Sequence, residues 1–245
     1  MKNKNKLALL AMLTCACTNQ NNYNLTGEIS GIKNDTILII KSDPVTRKSL
    51  GIDTIAVKEN KFAIKIPDST LVSLYVIEKP KGNSAIRMST NPPFLVLPGE
   101  NLRISGDIDN LQASGTEIYD NISNVTELKN KENEIKNIRE EITEAYKIQD
   151  KKTIDSLNII YKKLNVQLSA SKVDYIKNNP NSTLSGYLFQ SLRVADGIEA
   201  EKLLGENVKN GVLKELQEVC RYRKSCREYK AWKTCPRFQT KKYER

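Results

Sequence analysis

The sequence predicts an α+β protein: an N-terminal antiparallel β-sandwich or partly open barrel, then a helical hairpin and further helices, and finally a disordered basic tail. Three observations carry this. From Tyr23 to about Asn110, short β-branched runs alternate with turn residues. After the stretch "SGTEIYDN" the spacing of apolar residues changes from two to three and four. From Arg221 onward, ten Lys/Arg stand against two acidic residues and supply +8 of the net +10 carried by the 245 residues.

The chain opens "MKNKNKLALLAMLTCACTNQNN", with Lys2, Lys4 and Lys6 ahead of an apolar run from Leu7 to Ala16. Basic start, short apolar run and small residues are the parts of a secretory signal peptide. The run is too short for a spanning helix, which needs about 20 apolar residues. The pattern resembles a bacterial lipoprotein signal occupying residues 1–16, cut before a cysteine that is then acylated. Cys17 is the expected attachment point, because Ala16 precedes it whereas the bulkier Thr14 precedes Cys15. The leucine of that pattern lies four positions before Cys17, as Leu13, rather than three. Each buried acyl CH₂ favours the bilayer by about 0.8 kcal/mol, so several chains make a firm anchor. Residues 17–22 form a polar spacer. The expected location is therefore extracytoplasmic and periplasm-facing, lipid-anchored to a bacterial membrane in an oxidising space; simple secretion is the alternative.

Residues 23–114 read as a β-rich domain. Its candidate strands lie in "YNLTGEISGI", "DTILIIKS", "GIDTIAVKENKFAIKI", "TLVSLYVIE", "PPFLVLPGE" and "NLRISGDI". In "KFAIKI", Phe62, Ile64 and Ile66 alternate with Lys61, Ala63 and Lys65, the pattern of a strand buried on one face. "KENK" and "LPGEN" are expected as hairpin connections, the second because Gly99 can take φ > 0 after Pro98.

Residues 115–219 read as helical. Ile135, Ile138, Ile142 and Ala145 are spaced three and four apart, and so are Ile154, Leu157, Tyr161, Leu164 and Leu168, so two amphipathic helices are expected with "QDKK" between them. Asp150 is placed to cap the second. The pair forms an antiparallel hairpin whose Lys and Glu residues read as a solvated face. "KNNPNSTLSGYLFQSL" ends one helix before Pro180 and starts another, capped by Asn181 or Ser182, with Leu184, Tyr187, Leu188 and Leu192 on its inner side.

Composition excludes several chemistries. There is no histidine, which removes the commonest general base and the imidazole metal ligand. "GENVKNG" lacks the Gly-Lys-Ser/Thr ending of a phosphate loop. The neighbouring Glu140 and Glu141 lie among compensating lysines. Of five cysteines, Cys15 and Cys17 fall in the signal region, while Cys220, Cys226 and Cys235 are spaced unlike zinc pairs or a redox Cys-x-x-Cys. No catalytic residue, cofactor or metal is expected.

The order "LTGEISGI", "GIDTIAVKENKFAIKI", "FLVLPGENLRISGDIDNLQASGTEIYDNI", "YIKNNPNSTLSGYLFQSL" resembles the β-rich domain of unknown function and helical segment that precede a TlpA/ResA-type thioredoxin domain in bacterial lipoproteins. "GENVKNGVLKEL" is similar to the helix leading into that domain, and the likeness covers about residues 23–218. In such proteins a Gly-Lys-x-Ala-Pro-Asp-Phe lead-in follows, with the catalytic Cys-x-x-Cys further on. One choice of synonymous codons for Glu228–Arg245, read one base later, spells that lead-in, its glycine following from the unique Trp232 codon and the adenine after it. Residues 220–245 are therefore expected to be out-of-frame sequence, disordered or only incidentally helical beyond about 219.

The resemblance implies a non-catalytic, membrane-tethered accessory domain of a thiol-disulfide oxidoreductase, truncated before its thioredoxin domain. The expected partners are the lipid bilayer, through acylated Cys17, and an envelope protein or a second copy of the chain through the helical arm. A different reading makes the chain an envelope lipoprotein that binds a ligand or protein on a sheet face or edge. A third assigns the cationic tail, with Tyr222, Tyr229, Trp232 and Tyr243, to lipid or nucleic acid; nucleic acid is not expected, because the positive charge sits at the two ends rather than on a folded face.

Overall fold

The structure, a computed structural model, describes residues 23–82 and 91–228. Eight strands come first: β1 (Leu25–Ser30), β2 (Thr36–Ser42), β3 (Ser49–Ala56), β4 (Lys61–Ile64), β5 (Val72–Glu78), β6 (Phe94–Val96), β7 (Leu102–Asp107) and β8 (Asn110–Ser114). They make two four-stranded sheets, ordered β4-β1-β7-β8 and β3-β2-β5-β6, and neither closes into a barrel. Alternation sorts the side chains: Leu25, Ile29, Phe62, Leu102 and Ile104 of the first sheet and Ile37, Ile39, Leu74 and Val76 of the second belong to one buried cluster. In "KFAIKI", Phe62 and Ile66 are buried and Lys61, Ala63 and Lys65 exposed, as that spacing requires.

Three details differ from the sequence reading. The pair β1–β7 is parallel, Leu25 opposite Leu102 through Ser30 opposite Asp107, inside an otherwise antiparallel arrangement. The turns at 58–61 and 97–100 form, with Lys58 and Lys61 bonded to each other and Glu100 N donating to Leu97 O at 3.2 Å. Neither is a hairpin between paired strands, however: β3 and β4 belong to different sheets, and so do β6 and β7. Each turn hands the chain across the sandwich, and the second delivers it alongside β1 in the same direction, which is why that pair is parallel. An eighth strand, β8, lies outside the candidate segments and pairs antiparallel with β7 through a two-residue turn at Ile108 and Asp109.

Seven helices follow: α1 (Glu117–Asn124), α2 (Thr126–Lys147), α3 (Lys151–Asn178), α4 (Thr183–Gln190), α5 (Val194–Leu203), α6 (Glu206–Lys209) and α7 (Lys214–Glu228). At 1.5 Å per residue α2 and α3 are about 33 and 42 Å long, and they run antiparallel as one arm. Asp150 caps α3, its side chain accepting from Thr153 N at 3.1 Å. Helices α4 to α7 pack around the base of the arm, burying Leu184, Leu188, Phe189, Ala200, Leu213 and Leu216 in the same cluster that holds the sandwich core. Helix α7 continues to Glu228, nine residues past the expected boundary at 219; Cys220 packs against the core edge and Arg221 Nε lies 2.9 Å from Glu201 Oε1. Cys17 and residues 229–245 lie outside the described residues. Among the described residues, no helix is long and apolar enough to cross a membrane.

Candidate functional site at the sheet–helix junction

A chain of partly or fully buried polar side chains runs from β6 of the second sheet through α1 to α4 and the base of the arm. Helix α1 sets the geometry. Its N-terminal amides need acceptors, and two sequence-distant motifs supply them: Thr116 Oγ1 accepts from Tyr119 N at 3.4 Å, and Glu100 Oε1 from Glu117 N at 2.8 Å. Gly115, with φ +83°, donates its N–H to Asp120 Oδ1 at 2.8 Å and sits so close to Asn101 O that a Cβ would lie 2.9 Å from it. The Pro-Gly-Glu turn and the Ser-Gly-Thr stretch are thus two halves of one joint.

That joint points Tyr119 at the sheet. Its Oη accepts from Leu95 N of β6 at 2.7 Å, and its ring meets Phe94 and Tyr187 edge-on at 6.0 and 6.2 Å. The Tyr119 and Tyr187 side chains are therefore packed against each other on the helix side of this contact. Burial, more than any neighbour, pushes both phenols above their ordinary range; the Glu132 carboxylate pushes Tyr187 further in the same direction.

Glu132 of α2 leads on to Lys172 of α3. Lys172 Nζ lies 3.6 Å from Glu132 Oε1 and donates to Ser191 Oγ, the C-cap of α4, at 3.1 Å. Burial lowers the affinity of Lys172 for its proton, and Glu132 partly restores it. Beside it Ser169 Oγ donates to Asp196 Oδ2, which also accepts from Arg193 Nε at 2.7 Å. At the far side of α4, Ser182 Oγ accepts from Leu184 N at 3.2 Å, Ser185 Oγ donates to Asn179 O at 2.6 Å, and Gly205 N donates to Pro180 O at 2.9 Å.

A serine beside a buried lysine is the arrangement nearest to a nucleophile and its base. Two contacts oppose that use. Glu132 favours the charged ammonium, which has no lone pair to receive a proton, and Ser191 already donates its hydroxyl hydrogen to Leu188 O at 2.9 Å. The network is built to join β6, α1, α2, α3 and α4. Among the described residues, no group of three or more Cys, Asp or Glu is placed to hold a metal ion.

Of the residues singled out in the sequence, Asp150, Ser182 and Tyr187 take the positions expected of them. Glu140 and Glu141 are exposed, and Glu140 pairs with Lys136 at 3.8 Å along its own helix. Lys172 corrects the reading of the arm's charges as a solvated face, being only 9% exposed. The signal was present: it falls four residues after Leu168 and four before Ile176, on the buried stripe. The side chains of Cys226, Cys235, Tyr222, Tyr229, Trp232 and Tyr243 lie outside the described residues. The sheet edge exists as a surface: β3 is an outer strand on which Leu50 is 40% and Ile52 57% exposed. No family model, curated protein or solved structure matches the chain.

Proposed function

We propose that the chain is a non-catalytic accessory module of a TlpA/ResA-like thiol-disulfide oxidoreductase, tethered on the outer side of a bacterial membrane through acylated Cys17. One observation carries the reading: the residues on which the resemblance rests all serve as joints between elements, Glu100 and Thr116 tying the β6–β7 turn to the start of α1 and Asn179 to Ser182 fixing the corner between α3 and α4. A scaffold needs such joints, and they use the polar groups that a reaction centre would otherwise require. A second reading, an envelope lipoprotein that binds an extended segment of another protein, is favoured by β3, whose outer edge is open to strand addition.

The test expresses the full chain in a bacterial host fed labelled palmitate, recovers it from membranes and assays it for insulin reduction. The label is expected on the wild type and on Cys15→Ala, lost from Cys17→Ala, with no insulin turnover. Label surviving in Cys17→Ala overturns the tether, and measurable turnover overturns the non-catalytic role.

A further inference from the structure

The outer half of the α2–α3 arm carries four of the ten large apolar side chains that the described residues expose: Tyr146 61%, Ile148 75%, Ile159 69% and Ile160 44%. The same region is divided by charge. On one side a groove of about 610 Å³ is lined by the buried Ala145 and Leu157, the exposed Ile148, and Glu140, Glu141 and Glu144 of α2. Along α3, residues 151–164 hold Lys151, Lys152, Lys162 and Lys163 against a single acid, Asp155, and at 3.6 residues per turn Lys152 and Lys163 fall on the flank next to Ile160. Among the described residues none of these four lysines forms a salt bridge. Glu140 and Glu144 have only partners within α2, Lys136 at 3.8 Å and Lys147 at 2.6 Å, and all four of those side chains are at least 40% exposed, so the pairs exchange readily.

We propose that this half of the arm is a docking surface for a second copy of the chain. Glutamates lie on one helix and unpaired lysines on the other, so a single arm presents both halves of a complementary pair. A two-fold axis running along the arms lays α2 of one copy over α3 of the other, antiparallel, and meets acid with base twice. A two-fold axis across the arms stacks α2 on α2 and glutamate on glutamate, which charge disfavours. The favoured arrangement closes a four-helix layer over Ile148, Leu157 and Ile160, the packing that amphipathic hairpins adopt. Because contact is confined to the outer half of two helices, the interface falls at the small end of specific interfaces, below about 1,200 Å², and the dimer dissociates in about the micromolar range.

Sedimentation equilibrium of the full chain in non-ionic detergent tests this with two exposed-residue variants, Glu140→Lys/Glu141→Lys and Lys152→Glu/Lys163→Glu, whose folding is checked by circular dichroism. The wild type is expected to dimerise, more weakly as salt rises, and each variant alone to lose at least tenfold in affinity. Mixed, the two variants are expected to recover a heterodimer near wild-type affinity, because every contact between them is again opposite in sign. A wild type that stays monomeric at several hundred micromolar, variants that dimerise as well as the wild type, or a mixture that fails to pair each overturns the proposal.

Discussion

Lys172 sits on α3 four residues after Leu168 and four before Ile176, so the helix turns it inward regardless of its charge. Its aliphatic stem covers apolar surface while the ammonium is held between Glu132 and Ser191. The side chain of Glu132 is 42% exposed and stays partly hydrated, which moderates what its loss of a partner costs. Lys172→Ala is expected to destabilise the fold by about 1–3 kcal/mol, and Lys172→Met, which keeps the stem, by distinctly less. Urea midpoints of the two variants and of Glu132→Gln, combined in a double-mutant cycle, measure the coupling. A Lys172→Ala midpoint equal to the wild type would mean that the ammonium is not enclosed.

At the scale of elements, helices α1, α3 and α4 start on side-chain oxygens, of Thr116, Asp150 and Ser182, placed where the backbone leaves amides unsatisfied. Asp150 serves α3 in this way, and the Thr153 hydroxyl, followed by Thr153 N, holds its carboxyl below the ordinary aspartate range. The folded chain therefore takes up this proton less readily than the unfolded chain. The cap contributes fully above the ordinary aspartate value, near pH 4, and is lost as pH falls through the lowered value of the folded state. Protection from hydrogen exchange in the first turn of α3, taken relative to the intrinsic rate at each pH, is expected to fall below about pH 4 in the wild type. In Asp150→Ala protection should be low at every pH, and in Asp150→Asn high and pH-independent, because the amide oxygen still accepts from Thr153 N. Glu127, lowered by the Ser171 hydroxyl and then by Lys131, loosens the base of the arm in the same direction.

Across the whole molecule, one buried cluster runs from Leu25 in β1 to Leu216 in α7, taking in both sheets and the helices around α4. Sandwich and helical body therefore share a core, and a single unfolding transition is expected, with far-UV and near-UV circular dichroism changing together. Two separated transitions would show that the Tyr119 junction does not couple them. The local features of this architecture were legible in the chain itself: the alternation of Phe62, Ile64 and Ile66, the three-and-four spacing of Ile154, Leu157, Tyr161 and Leu168, and the caps at Asp150 and Ser182 depend on neighbours within a few residues. Pairing across the sandwich was not. That β1 runs parallel to β7, that the turn at 58–61 passes the chain between sheets, and that Glu100 completes the cap of α1 are contacts between residues distant in sequence. Such contacts follow from burying all apolar faces at once, a condition that no window of the sequence contains, and so only the tertiary structure settled them.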